Sequence, residues 1–157
     1  MKMIAALTSL FLLTSHVHAM NVKLKGNDTV SIEFNSDVKD IKLDSVINGY
    51  SVKCDGTKII IWGKPKKFNE SNPQDTNVIL LDVANDYKKY EQGLSDGVFE
   101  VNYLKSGDVA YISNNLGGFI NLSNGHLKEV TSEFDPSDEN NFESCKKNES
   151  WEFNRYP

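Results

Sequence analysis

Cysteine, histidine and proline are scarce in this chain: 157 residues hold two, three and four of them. No apolar run approaches the roughly 20 residues needed to cross a bilayer core as a helix, so no membrane insertion is expected. Basic charge is also short, with 17 Lys and Arg against 22 Asp and Glu. A net charge of -5 argues against nucleic acid as a partner, because duplex and single strands alike are held by clustered cations.

The first nineteen residues have the layout of a secretory signal. Lys2 supplies the positive start, Met3 to Leu13 are uncharged and mostly apolar, and Val17-His18-Ala19 places small residues where a signal peptidase reads. Cleavage is expected before Met20, leaving residues 20–157 as a single domain in the periplasm or outside the cell. The leader takes His16 and His18 with it, so the mature chain has one histidine, His126, and two cysteines, Cys54 and Cys145.

Those losses narrow the chemistry. In an oxidising compartment two lone cysteines are most simply a disulfide, and Cys54 and Cys145 are expected to be bonded. A structural zinc site wants three or four Cys, His or carboxylate ligands, so neither a metal nor another cofactor is expected. A Ser-His-Asp triad would have to use His126, which follows Asn124-Gly125 and so sits at a turn. Asp82, Asp86, Asp96 and Glu100 are acids that a glycosidase could pair across a cleft, but nothing in their spacing brings two together. The expectation is a protein that is not an enzyme.

Short β-branched or alternating runs recur every 8 to 12 residues with turn residues between them, the pattern of an antiparallel β-meander. Val22–Lys25, Thr29–Phe34, Ile41–Val46, Tyr50–Cys54 and Lys58–Trp62 are the first expected strands, with Asn48-Gly49 and Asp55-Gly56 as turns. Asn77–Val83, Val98–Leu104, Val109–Ser113, Phe119–Leu122 and His126–Val130 follow, and Trp151, Phe153 and Tyr156 offer a last strand or an aromatic plug. One short helix is expected over Asn85–Leu94, where Tyr87, Tyr90 and Leu94 fit a helical spacing. The fold class is all-β, as a sandwich, barrel or propeller-like stack.

Two segments break the pattern. Residues 63–76 carry two prolines and mixed charge, with Lys64, Lys66 and Lys67 beside Phe68, and read as a long surface loop. Residues 131–149 are polar and acidic, with Cys145 near their end pinning them to the sheet. Calcium loops space oxygen ligands around a glycine, which this stretch lacks; a solvated loop and a surface docking onto a basic partner are the remaining readings. Gly117-Gly118 suits a bulge, a turn or a close backbone approach. Sequons at Asn27, Asn69, Asn121 and Asn148 are as many as an Asn- and Ser-rich chain carries by chance.

A small, exported, acidic, disulfide-stapled β domain without catalytic equipment is expected to act by binding. The leading expectation is a periplasmic inhibitor or toxin-immunity protein that blocks an enzyme, such as a cell-wall-degrading effector with a basic surface, by loop contacts. The expected contacts are Lys66 and Phe68 in loop 63–76, Asn115 and Leu116 in loop 114–118, and Asp135, Asp138 and Glu139 in segment 131–143. One alternative is a β-barrel carrier whose cavity is lined by Phe99, Val101 and Tyr111; another is a structural or adhesive surface subunit.

Overall fold

In a computed structural model, residues 20–145 are described. The expected leader and the expected terminal strand around Trp151, Phe153 and Tyr156 lie outside them. The described residues form eleven strands in three antiparallel sheets, each an uninterrupted meander. The first sheet holds β1 (Asn21–Leu24), β2 (Thr29–Phe34) and β3 (Asp37–Lys42). The second holds β4 (Ser45–Val52), β5 (Lys58–Pro65), β6 (Thr76–Asp82) and β7 (Lys88–Leu94). The third holds β8 (Glu100–Tyr103), β9 (Val109–Ser113), β10 (Gly118–Asn121) and β11 (Leu127–Glu129).

The second sheet is the middle layer, and its sequence says why. Ile59–Trp62 and Val78–Leu81 are continuous apolar runs, every residue at most 2% exposed, as strands covered on both faces must be. Alternation divides them between two cores. Ile59, Ile61, Ile79 and Leu81 pack with Val22, Val30, Ile32 and Leu43 of the first layer. Ile60, Trp62, Val78 and Leu80 pack with Val101, Ala110, Ile112 and Ile120 of the third. At about 1.5–3 kcal/mol for each large apolar side chain buried, these two strands contribute to both interlayer cores at once. The Tyr103 hydroxyl ties the third layer to the second by donating to the Ser51 carbonyl at 2.8 Å, and burial pushes its phenol well above the usual tyrosine range.

Three expectations change. Asn48-Gly49 is not a turn but a β-bulge inside β4, where the register against β5 shifts between Ile47 and Gly49. The extra residue rephases the alternation, so that Ile47 before it and Tyr50 and Val52 after it face the same core. The turn that divides β3 from β4 lies at Leu43-Asp44. The tight hairpin before it, between β2 and β3, is at Asn35-Ser36, where both residues have positive φ (53° and 68°), as such a turn requires. The strand expected over Ile41–Val46 is accordingly split between β3 and β4.

The expected helix over Asn85–Leu94 is instead a 3-10 turn (Val83–Asn85) followed by β7. Asp86 and Tyr87 turn the chain with φ of 51° and 59°, and β7 pairs along its whole length with β6. Tertiary pairing overrides a helical spacing that spans only the eight residues from Tyr87 to Leu94.

The barrel expectation also falls, because the strands close into three open sheets. Val101 faces the second layer, Tyr111 points to the opposite side of its own sheet, and Phe99 is 53% exposed. These three residues therefore line no common cavity.

The bulge brings β4 and β5 so close that a Cβ on Gly63 would collide with the Val46 carbonyl, which is backbone and cannot swing aside. Gly63→Ala should cost about 2–3 kcal/mol by urea unfolding. Gly93→Ala, with open space around its Cβ position, should stay within about 0.5 kcal/mol.

Candidate functional site: the loop end of the stack

Strand direction gathers the β1–β2, β3–β4, β5–β6, β7–β8 and β9–β10 connections at one end of the three layers. Two of these are the expected contact loops, 63–76 and 114–118. Residues 63–65 of the first belong to β5, so its free part is 66–75.

The loops are tied to one another. Lys66 donates from its backbone N–H to the Asp44 carbonyl at 3.1 Å, and its ammonium meets Asp28 at 2.7 Å. That ammonium, with the Thr29 hydroxyl, holds the Asp28 carboxyl below its usual range. Lys66 is thus committed to the scaffold, whereas Phe68 next to it is 62% exposed. The Asn69 and Asn72 amides both donate to the Asp75 carboxylate, closing the loop on itself. Asn72 also reaches the Ser95 carbonyl in the β7–β8 loop at 3.1 Å.

From there the chain of contacts continues through Asp96, which the sequence offers only as one of four candidate catalytic acids. Its carboxylate accepts from the Gly97 N–H at 2.9 Å, the Asn115 N–H at 3.2 Å and the Asn115 side-chain amide at 2.8 Å. The side-chain amide oxygen (Oδ1) of Asn114 then accepts from the N–H groups of Leu116 (3.3 Å) and Gly117 (2.6 Å). Gly117 takes φ +76°, and a Cβ there would press on the Tyr111 hydroxyl at 3.1 Å, so glycine is required by both conformation and space. The result is a fixed turn that holds Leu116 at its tip, 90% exposed.

The expected loop contacts Phe68 and Leu116 thus lie at one end, and Phe99, on the β7–β8 connection, joins them. These are three of the four large apolar side chains that the described residues leave exposed; the fourth, Val38, is on β3. Beside the Leu116 turn lies an open groove of about 490 Å³ with Leu94, Ile112, Leu127 and Val130 as apolar lining and Asp96, Lys128 and Glu129 as charged lining. Among the described residues none of these three charges is in a salt bridge.

The acidic segment behaves differently from loops 66–75 and 114–117. It leaves β11 at the loop end and runs as a strap across the outer face of the third sheet to the opposite end. There Phe134 and Phe142 cover Tyr111 and Phe119, with ring centroids 4.9–6.1 Å apart. Asp135 accepts from the Ser137 hydroxyl (2.6 Å) and N–H (2.9 Å); these donors hold its carboxyl below the ordinary range. Asp138 accepts from the Asn140 N–H and side chain. Their carboxylates hold turns, and with Glu139 they remain exposed on the strap rather than among the contact loops.

The strap ends in a latch. Glu143 donates its N–H to the Tyr103 carbonyl (2.8 Å), and its carboxylate meets the Lys53 ammonium (2.8 Å) and the Cys54 N–H (3.2 Å). Burial works against the Lys53 charge, but hydrogen bonds to Glu143 and Asp55 outweigh it and leave the ammonium above its usual range. Cys54 and Cys145 are disulfide-bonded, 91 residues apart in sequence.

The residues weighed for catalysis are dispersed. Asp82 pairs with Lys58 at 2.6 Å and Asp86 with Lys39 at 3.4 Å at the latch end, away from Asp96 and Glu100 at the loop end. His126 is an exposed turn residue. Among the described residues no group of three or more His, Cys, Asp or Glu is placed to hold a metal ion, and no helix is long and apolar enough to cross a membrane. No protein-family model matches the chain, and neither a curated protein nor a solved structure shows significant similarity to it.

Two outcomes follow for the strap. Replacing Cys54 and Cys145 by serine should cost up to about 4–5 kcal/mol by the loop-entropy argument, measured by denaturant unfolding; no loss would mean that the latch adds nothing to the strap's other contacts. Because the folded Asp135 carboxyl is lowered, its turn is fully held above the ordinary value of 3.8 and released as pH falls through the lowered one. The Ser137 amide resonance should therefore titrate with a midpoint below 3.8.

Proposed function

We propose that the chain is an exported binding protein, acting in the periplasm as an inhibitor or toxin-immunity protein that blocks an enzyme with the loop end of the stack. The observation that carries this reading is the gathering of Phe68, Phe99 and Leu116 on three loops linked through Asn72–Ser95 and Asp96–Asn115. Exposed apolar side chains on a soluble domain lose nothing by being covered, and a scaffold that already fixes them loses little entropy on association. The partner would be a protein with a basic surface, in keeping with the acidic balance of the chain. A leader ending at Ala19 and a disulfide both suit an oxidising, extracytoplasmic setting.

The test is inhibition by the mature, oxidised chain. Used as bait on periplasmic and secreted extract of the native organism and its competitors, it should retain one dominant enzyme whose activity falls to near zero at a 1:1 ratio. The triple variant Phe68→Ser, Phe99→Ser, Leu116→Ser should lose that inhibition while keeping its unfolding midpoint. An enzyme still inhibited by the triple variant, or no enzyme retained, would contradict the reading.

A further inference from the structure

We infer that Leu116 is the anchor of this interface: a preset apolar knob that enters a pocket of the partner, while the groove beside it receives an apolar side chain of the partner flanked by a cationic one. The inference rests on the binding reading above and adds which residue dominates and what chemistry faces it. Leu116 is 90% exposed, the most exposed large apolar residue among those described. Water would favour a turn that folds such a side chain back, yet three hydrogen bonds from the N–H groups of Asn115, Leu116 and Gly117 to the Asp96 and Asn114 side chains hold the backbone around it. A fourth joins the Asn115 and Asp96 side chains, and Gly117 closes the turn against Tyr111. A side chain held out in this way reaches a partner's pocket with its backbone ordering already complete, the condition under which one residue carries a large share of binding energy.

The groove gives the partner's chemistry. Leu116 is itself part of its wall, next to Leu94, Ile112, Leu127 and Val130, and the glycines 117 and 118 leave that wall without side chains. Knob and hole are thus adjacent, so a partner that accepts one meets the other. Of the three charges in the lining, two are carboxylates, Asp96 and Glu129, against one ammonium, Lys128, and none of them has a salt-bridge partner among the described residues. Asp96 is taken up by its three N–H donors, whereas Glu129 stands without a salt bridge among the described residues. A net negative lining of this kind favours an apolar side chain next to Lys or Arg.

Photo-crosslinking in the intact chain tests this. A p-benzoylphenylalanine at position 116, 99 or 68 is placed in the exported protein in its native cells, and the crosslinked partner is purified for binding measurements. Crosslinks should form at 116. Leu116→Asp should weaken binding by about 30-fold or more, with Leu116→Met within a few-fold of the parent and unfolding midpoints unchanged. Glu129→Gln should slow association at low salt and match the parent at high salt. Crosslinks at 68 or 99 with Leu116→Asp binding like the parent would overturn the anchor while leaving the loop-end reading standing. Absence of crosslinks at all three positions would overturn both. A crosslinked second copy of this chain, with a dimer abolished by Leu116→Asp, would overturn the assignment of the knob to a foreign partner.

Discussion

Burial of the middle sheet on both faces is the constraint on which the rest of the structure depends. Ile59–Trp62 and Val78–Leu81 cannot be satisfied by one neighbouring layer, because alternation sends every second side chain the other way. Two outer sheets are therefore required, and both are supplied by short meanders to either side in sequence. The Gly49 bulge belongs to the same constraint. Without it, Tyr50 and Val52 would turn away from the core that Ile47 occupies.

Three stacked meanders leave two ends, and the chain treats them differently. One end is stapled: Cys54–Cys145, Lys53–Glu143 and the pairing of Leu104 with Phe142 fasten the strap there. The other end carries the cross-tied loops and most of the exposed apolar side chains. A scaffold that is rigid at one end and presents fixed loops at the other holds a recognition surface at low ordering cost. The acids of the strap serve turn geometry in Asp135 and Asp138, and Asp96 ties two loops together. Under the proposed function the negative charge that would face a partner is therefore better sought in Glu129, on the groove beside Leu116.

Much of the fold was legible in the sequence because its strongest signals are local. Thr29–Phe34 and Val109–Ser113 are strands with the expected bounds. The apolar runs of β5 and β6 fall in the strands expected over Lys58–Trp62 and Asn77–Val83, although their burial on both faces appears only in the structure. The misreadings share a cause: a turn or helix signal was judged without the pairing partner that decides it. Asn48-Gly49 resembles a hairpin turn until β5 is placed beside it, and the spacing of Tyr87, Tyr90 and Leu94 resembles a helix until β6 is. The loop end was half legible. Loop segments between strands named the places of Phe68 and Leu116, but the role of Asp96 was hidden, since two of its three donors, both on Asn115, become its neighbours only when the β7–β8 and β9–β10 loops meet. Aromatic residues in the acidic segment, Phe134 and Phe142, were the overlooked sign that it packs as a strap.

The central claim is that recognition occurs at the loop end and not at the latch. Amide hydrogen exchange of residues 20–157 with and without the enzyme proposed as the partner, once captured and purified, tests it most directly. Protection should rise in residues 66–75, 95–99 and 114–117 and stay unchanged in the turns at 53–57, 104–108 and 122–126. Protection confined to those latch-end turns would contradict the account.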